Sequence, residues 1–278
     1  MKTYNQVFSE LKKKKEGALV AFIVIGDPDY ETSLEIAKKI ADSGADILEL
    51  GIPFSDPIAD GRTIQAADVR ALDNGMNTDK AFEFVRDLRK HTDVPIGFLT
   101  YYNLVYQRGL ERFYQDAHKS GVNSVLIADL SIEEAEPVIS VSKKTGIDTL
   151  FMISQLSDDN RIKKIASASS GFIYLVSRLG VTGVRNDLQH STLSLIKRVR
   201  KFTDKPLCVG FGISTPNHVK DVINAGADGA IVGSAIVDLI RKNLGKKEKM
   251  LNEIVDFSRE LKRSTKPQSL KREDYSHQ

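Results

Sequence analysis

Hydrophobic positions along the chain follow two patterns that alternate from end to end. Short apolar runs rich in β-branched residues are typical of buried strands, and the stretches between them carry apolar residues at helical spacing. The short runs predict eight strands, at Ala18 to Ile25, Ala45 to Leu50, Pro95 to Thr100, Ser124 to Ala128, Thr149 to Ser154, Gly171 to Val176, Leu207 to Gly210 and Gly229 to Val232.

The intervening stretches predict helices that are long enough to cross back over a sheet. These helices are Glu31 to Ser43, Asp79 to His91, Leu110 to Ser120, Ile132 to Thr145, Asp159 to Ala168, Ser191 to Phe202 and Pro216 to Ala225. The N-terminal stretch, Met1 to Glu16, also has helical spacing and lacks the apolar core of a signal peptide. We therefore expect one additional helix before the first strand.

Several predicted helices end in a similar glycine-containing turn just before the next strand. Examples are Ser43-Gly44-Ala45-Asp46 and Ala225-Gly226-Ala227-Asp228, where a left-handed glycine reverses the chain. Eight such repeated units close most simply into a (β/α)8 TIM barrel, an α/β fold whose working face is formed by the loops after the strands. An open doubly wound sheet is the alternative. It predicts a Gly-rich dinucleotide turn after the first strand, and Gly26-Asp27-Pro28-Asp29 is not one.

Composition places the chain among globular α/β proteins. Its 278 residues suit one barrel, and 41% hydrophobic with 28% charged residues excludes disordered and membrane classes. The net charge of +3 does not indicate a nucleic-acid-binding face. A single cysteine, Cys208, excludes an intrachain disulfide framework, and its apolar surroundings predict a buried, unreactive thiol. No stretch approaches eighteen consecutive apolar residues, so we expect a cytoplasmic location.

Two connections are longer than usual for this architecture. Gly51 to Met76, after strand two, includes a predicted short helix from Thr63 to Leu72, and Ser177 to Leu188 follows strand six. Long loops on a barrel's working face are typically lids or binding elements. We expect a single barrel domain over residues 1–264 and a polar, disordered tail over residues 265–278.

The loops after the last two strands have the features of a phosphate site. Gly210-Phe211-Gly212 follows strand seven, and Gly233-Ser234 follows strand eight and opens a helical stretch. Glycines let backbone N–H groups approach an anion, and a helix N-terminus adds partial positive charge. Gly183, in the loop after strand six, is a further candidate for this phosphate site. The pattern favours a phosphorylated substrate.

Glu49 stands inside the apolar second strand, and Asp60 ends the loop that follows it. A buried, unpaired Glu has a raised pKa and can exchange a proton near neutral pH, whereas a wetter Asp60 would stay ionised and stabilise positive charge. A Glu paired with a core Arg, or one at an exposed strand end, is the structural alternative. None of the five histidines ends a strand, so we expect no metal site, although two carboxylates leave magnesium possible.

Five aromatic residues are predicted near the same mouth. They are Phe22, Tyr101, Tyr102, Tyr174 and Phe211. Such a group can clamp a flat apolar molecule, although each residue alone is also ordinary barrel core.

At these residues the chain resembles the tryptophan synthase alpha subunit family, from Tyr4 to about Ser264. The most diagnostic stretch runs from Leu48-Glu49-Leu50-Gly51-Ile52-Pro53-Phe54-Ser55-Asp56-Pro57 to Ala59-Asp60-Gly61. Other similar motifs, in family order, are Gly26-Asp27-Pro28, Ser177-Arg178, Gly180-Val181-Thr182-Gly183, Gly210-Phe211-Gly212-Ile213-Ser214 and Val232-Gly233-Ser234-Ala235-Ile236-Val237.

The resemblance implies a lyase of tryptophan biosynthesis that cleaves indole-3-glycerol phosphate to indole and glyceraldehyde 3-phosphate. It implies that Glu49 transfers protons, that Asp60 stabilises charge on the indole, and that Thr182 closes over the substrate and touches Asp60. Residues matching the indole site are Phe22, Leu99, Tyr101, Tyr174 and Phe211, and those matching the phosphate site are Gly183, Gly212, Gly233 and Ser234.

The resemblance also implies a partner. A tryptophan synthase beta subunit would receive indole through a tunnel, hold the pyridoxal phosphate and contact the loop Gly51 to Asp60 in an alpha-beta-beta-alpha heterotetramer. No cofactor is expected in this chain, because no lysine resembles a Schiff-base site.

The chain departs from the family pattern at Arg62, at Ser131 and over residues 154–157. These departures lie in loops that the family uses for closure and docking, so an alpha-like regulatory subunit with weak lyase activity remains an alternative. A third hypothesis is a stand-alone isomerase or aldolase that acts on a phosphorylated sugar. The aromatic residues at the mouth argue against it, because a sugar substrate does not need a site for a flat apolar group.

Overall fold

The computed structural model describes residues 1–176, 187–210 and 212–266. Nine strands form one parallel sheet in the order β5-β4-β3-β2-β1-β9-β8-β7-β6. The strands are β1 (Ala18–Val24), β2 (Ile47–Gly51), β3 (Ile96–Thr100), β4 (Ser124–Ile127), β5 (Asp148–Leu150), β6 (Met152–Ser154), β7 (Ile173–Val176), β8 (Leu207–Gly210) and β9 (Gly229–Val232).

The predicted barrel is confirmed, but the predicted fifth strand is divided. Thr149 to Ser154 appears as β5 and β6, which are separated only by Phe151. The reason is pairing: β5 pairs with β4 whereas β6 pairs with β7. The chain bends at Phe151 so that each half follows a different neighbour, and this bend brings the two edges of the sheet together into a nearly closed barrel.

Twelve helices in the described part of the chain surround the sheet. They are α1 (Tyr4–Lys14), α2 (Tyr30–Asp42), α3 (Arg62–Asp73), α4 (Thr78–Arg89), α5 (Tyr102–Arg108), α6 (Leu110–Ser120), α7 (Glu136–Thr145), α8 (Asp159–Ala168), α9 (Asp187–Arg200), α10 (Pro216–Asn224), α11 (Ser234–Lys242) and α12 (Lys247–Arg263). None of them is long and apolar enough to cross a membrane.

Helix ends differ from the predictions where a local group determines the boundary. The predicted helix Ile132 to Thr145 begins only at Glu136, because Pro137 lacks an N–H and has the fixed φ that suits a first turn. The N-terminal helix begins at Tyr4 because the preceding Thr3 forms a capping box with Gln6 in the first turn.

The N-terminal helix α1 closes one end of the barrel. Its Tyr4, Val7, Phe8 and Leu11 pack with the inward-facing strand residues, which include Ile47, Tyr174 and the buried Cys208. The Tyr4 ring meets Phe172 edge-on at 5.4 Å, and its hydroxyl lies 2.7 Å from Oγ of Ser124. Both partners lie at the starts of strands, so α1 covers the amino-terminal end and leaves the carboxyl end open.

The C-terminal part of the domain reaches slightly past the predicted boundary at residue 264. Thr265 is buried, and its carbonyl accepts a hydrogen bond of 2.9 Å from the backbone N–H of Gly17. The predicted tail beyond Lys266 lies outside the described residues, and so does the long loop after the strand β7.

Candidate active site

Glu49 lies at the carboxyl end of the barrel interior. In the register of the parallel sheet it stands beside Phe22 of β1 and Gly97 of β3. Because side chains alternate along a strand, Glu49 shares the inward face with Ile47, and it is only 3% exposed.

The buried Glu49 carboxyl favours its protonated form. Burial, together with the nearby charge of Asp60, raises the pKa of Glu49 to about 8. Its Oε2 atom is buried and has no hydrogen-bond partner. A carboxyl in this setting can both donate and accept a proton near neutral pH.

Asp60 is half-buried at the end of the loop after β2 and is held by Tyr101. The Tyr101 hydroxyl donates a 2.6 Å hydrogen bond to Oδ2 of Asp60 and accepts one of 3.1 Å from the backbone N–H of Ala59. The Tyr101 ring also stacks on Phe54, with 5.1 Å between centroids. Burial raises the pKa of Asp60, while the hydrogen bond from Tyr101 lowers it.

The apolar wall of the site depends on close packing against glycines. A Cβ at Gly51 or Gly233 would come within 2.8 Å or 2.9 Å of the Phe22 ring, so both positions leave room for that ring. A Cβ at Gly210 would collide with the Tyr174 ring. These contacts direct Phe22 and Tyr174 toward the mouth.

The predicted phosphate residues that the structure describes follow β8 and β9, which lie beyond β1 from β2 in the order of the sheet. Gly212 has a left-handed φ of 78°, and Ser234 is exposed at the first position of α11. No side chain caps this helix, whose N-cap residue is Gly233. Its first turn therefore presents backbone N–H groups and partial positive charge to the mouth.

One cavity of about 180 Å³ brings most of the predicted site residues together. Its lining includes eight of them, namely Phe22, Glu49, Asp60, Leu99, Tyr174, Gly212, Gly233 and Ser234. Tyr101 is not in the lining but lies behind Asp60. Thr182, Gly183 and Phe211 lie outside the described residues.

The cavity lining also includes three isoleucines that were not predicted from the sequence, Ile64, Ile213 and Ile231. Ile231 could have been predicted, because alternation along the last strand places its side chain on the inward face. Ile64 and Ile213 have no local feature that distinguishes them from core residues. A larger cavity of about 650 Å³ lies between α9 and α10, and the described residues that line it include none of the predicted site residues. Among the described residues, no three His, Cys, Asp or Glu side chains are grouped so that they could hold a metal ion.

Comparison with known proteins decides the family. The family model described as tryptophan synthase alpha chain matches residues 8–266. The chain belongs to the tryptophan synthase alpha chain family.

A tryptophan synthase alpha chain of Methanoregula boonei is 48% identical over 259 residues, covering 93% of this chain and 98% of the relative. The alpha subunit structure from Legionella pneumophila has a TM-score of 0.87 at 30% identity, covering 95% and 98% of the two chains. A structure from Pyrococcus furiosus, described as showing mutual activation of a tryptophan synthase a2b2 complex, has a TM-score of 0.83 at 37% identity. It covers 89% of this chain and 98% of that one. Membership of the tryptophan synthase alpha chain family agrees with the resemblance seen in the sequence motifs.

Proposed function

We propose that the cavity at the barrel mouth carries out the reaction of the family, cleavage of indole-3-glycerol phosphate to indole and glyceraldehyde 3-phosphate. The observation that carries this proposal is the setting of Glu49, a buried carboxyl with a pKa near 8 beside a second carboxyl, Asp60. Phe22, Leu99 and Tyr174 supply an apolar wall that suits a planar indole ring.

Glu49 serves as the proton-transfer group in this scheme. Its carboxyl gives a proton to the indole ring carbon that bears the glycerol chain, which leaves positive charge on the ring nitrogen. The resulting carboxylate then takes the proton of the adjacent glycerol hydroxyl while the carbon–carbon bond breaks. The bonding electrons return to the ring, indole regains aromaticity, the new carbonyl leaves as glyceraldehyde 3-phosphate, and Glu49 is protonated again.

Asp60 stabilises the intermediate charge. Its carboxylate accepts a hydrogen bond from the indole N–H, which becomes more acidic once the ring is protonated. Tyr101 favours the ionised form of Asp60, because its hydrogen bond lowers the pKa of that carboxyl. We assign the phosphate to the first turn of α11 and to Gly212, where backbone N–H groups are available without a competing side-chain cap. The roles proposed for Thr182, Gly183 and Phe211 rest on the sequence motifs alone.

We also propose assembly with a tryptophan synthase beta subunit, which holds the pyridoxal phosphate. None of the residues that line the described cavity is a lysine that could form a Schiff base with this cofactor. Three large apolar side chains are exposed on segments that follow β2, β3 and β6: Ile58 at 83%, Tyr106 at 67% and Leu156 at 80%. Because all three follow the carboxyl ends of strands, we place them on the surface that the partner covers.

The departures from the family pattern lie near this surface. Arg62 begins α3, Ser131 hydrogen-bonds to Glu134 at 3.1 Å, and Leu156 stands in the 154–157 segment. None of these residues lines the cavity with Glu49. The departures therefore bear on coupling to the partner more than on the chemistry.

The proposal is tested by incubating the purified chain with indole-3-glycerol phosphate, with and without a beta subunit, and measuring indole. Indole in both reactions supports the lyase. The regulatory alternative is favoured if indole forms only with the beta subunit. It is also favoured if the chain activates the beta subunit while cleavage stays negligible. No indole in either reaction contradicts the proposed function.

A further inference from the structure

Gln65 contacts Asp60 from the helix that follows it in the chain. Nε2 of Gln65 donates a 2.8 Å hydrogen bond to the backbone carbonyl of Asp60. Gln65 is exposed on α3 and is not among the residues that line the cavity with Glu49. The proposed chemistry therefore gives Gln65 no part, although its side chain binds the residue that stabilises the charged indole.

Asp60 is held at three of its groups. Its backbone N–H donates a 3.0 Å hydrogen bond to the carbonyl of Pro57. Its carboxylate accepts the hydroxyl of Tyr101 at 2.6 Å, and its carbonyl accepts the Gln65 amide. These contacts come from the loop itself, from the end of β3 and from α3. Together they determine where the Asp60 carboxylate points.

The helix α3 is itself fixed to the barrel through its second half. Arg70 donates hydrogen bonds of 2.7 Å and 2.9 Å to the two carboxylate oxygens of Asp27. Asn74, the C-cap residue of α3, donates a hydrogen bond of 2.6 Å to the carbonyl of Pro28. Both partners lie in the segment that follows β1. A side chain on a helix held in this way positions its acceptor more precisely than one on a loop.

The contact with Asp60 requires an amide at position 65. No acidic residue lies in the first turn of α3, and the N-cap residue Gly61 makes no side-chain hydrogen bond. A carboxylate near this end would interact favourably with the helix dipole. An ionised carboxylate has no donor, however, and would repel the carbonyl of Asp60. Helix stability and the placement of Asp60 therefore favour different residues here.

We propose that Gln65 is a positioning residue for Asp60, whose amide fixes the Asp60 backbone so that the carboxylate meets the indole N–H. This inference rests on the proposed function, which gives Asp60 its role beside the indole. Gln65 touches no substrate in this account. Its effect on the reaction comes from the placement of Asp60 alone.

Two substitutions in the full chain separate positioning from folding. Gln65→Met keeps a similar side-chain length without a donor, and Gln65→Glu removes the donor while adding a charge that suits the helix. Both should lower kcat for cleavage roughly threefold to tenfold, the range for loss of one hydrogen bond. The melting temperature of Gln65→Glu should not fall below that of the unmodified chain.

The matched control is Gln6→Met. Gln6 is also an exposed glutamine bound to the backbone at a helix start, since its Oε1 accepts a 2.8 Å hydrogen bond from the N–H of Thr3. It lies on α1, which covers the other end of the barrel, so kcat should not change. Equal kcat values for Gln65→Met and this control overturn the proposal. A loss confined to Gln65→Glu also overturns it, because the added charge would then be the cause.

Ligand binding gives a readout that general destabilisation would not change. The probes are indole-3-propanol phosphate, which lacks both glycerol hydroxyls, and its N-methyl derivative, which has no N–H for Asp60. Calorimetry should show that the unmodified chain prefers the N–H ligand. This preference should fall roughly threefold or more in Gln65→Met and stay unchanged in Gln6→Met. The same preference in Gln65→Met as in the unmodified chain overturns the inference.

Failure of the inference and failure of the proposed function give different results. If the unmodified chain prefers the N–H ligand but forms no indole from indole-3-glycerol phosphate, the proposed reaction is contradicted, and the ligand preference of Gln65→Met still decides the role of Gln65. If the unmodified chain forms indole and Gln65→Met keeps both its kcat and the ligand preference, only the inference fails.

Discussion

The hydroxyl of Tyr101 donates a 2.6 Å hydrogen bond to Oδ2 of Asp60. The Tyr101 hydroxyl oxygen also accepts a hydrogen bond of 3.1 Å from the backbone N–H of Ala59. One side chain at the end of β3 thus holds both the carboxylate and the backbone of the loop that follows β2. This relationship makes Tyr101 a support for Asp60 as well as a neighbour of the substrate site.

Tyr101→Phe should impair cleavage while leaving the fold intact. The hydrogen bond lowers the pKa of Asp60, so its loss raises that pKa and weakens stabilisation of the charged indole. A hydrogen bond to a charged group contributes about 1.5 kcal/mol or more, which corresponds to roughly a tenfold fall in kcat. Steady-state kinetics on indole-3-glycerol phosphate measures this fall.

The matched control is Tyr30→Phe. Tyr30 makes a similar 2.9 Å hydrogen bond to Asp87 between α2 and α4, away from the mouth. If both variants lose activity equally, the loss reflects general stability and not the support of Asp60.

Glu49→Gln should change how stability depends on pH. In the folded chain the pKa of Glu49 is about 8, against 4.5 for a glutamate side chain in water. Between these values the folded state keeps a proton that the unfolded state releases, so the contribution of Glu49 to stability falls as pH rises through that window. Gln cannot titrate. The unfolding free energy of Glu49→Gln relative to the unmodified chain should therefore increase with pH, by at most about 1.4 kcal/mol per unit.

Urea unfolding of both proteins from pH 5 to pH 8 checks this trend. Glu83→Gln, at an exposed position on α4, is the control substitution. A stability difference for Glu49→Gln that is flat across the window would show that Glu49 ionises as easily in the folded chain as in the unfolded one.

Gly210→Ala should damage the site by overpacking. A Cβ at this position would collide with the Tyr174 ring, and overpacking in a dense interior typically costs about 1–3 kcal/mol. Displacing Tyr174 should also raise KM, since its side chain lines the cavity. The same substitution in a Tyr174→Phe background should cost less, because part of the colliding side chain is absent. Equal costs in both backgrounds would argue against this packing account.

Arg70→Met should destabilise the chain by about 3–5 kcal/mol, because it leaves the fully buried Asp27 without its cation. Burial already raises the pKa of Asp27, and loss of Arg70 removes the groups that lower it. The folded variant should then keep a proton on Asp27 to higher pH, so its stability deficit should grow as pH rises. Adding Asp27→Asn should restore part of the loss. No change in unfolding free energy in the single variant would contradict this role.

The barrel and the place of Glu49 could be predicted from the sequence because both depend on local patterns. Alternation along a strand put Glu49 on the inward face, and the regular spacing of strands indicated a repeated unit. The bend at Phe151 could not be predicted in this way. The run Thr149 to Ser154 is continuous in composition, and its division depends on which neighbour each half pairs with.

Contacts between residues that are far apart along the chain also could not be predicted from the sequence. Tyr101 and Asp60 are 41 positions apart, and no periodicity relates them.

The most direct test of the account is single-turnover cleavage of indole-3-glycerol phosphate by Glu49→Gln, with substrate binding measured by calorimetry in the same preparation. Gln keeps the shape and polarity of Glu49 but cannot transfer a proton. The account predicts nearly unchanged binding and a cleavage rate lower by roughly 100-fold to 10,000-fold. Cleavage at the rate of the unmodified chain would contradict the role of Glu49 as the proton-transfer residue.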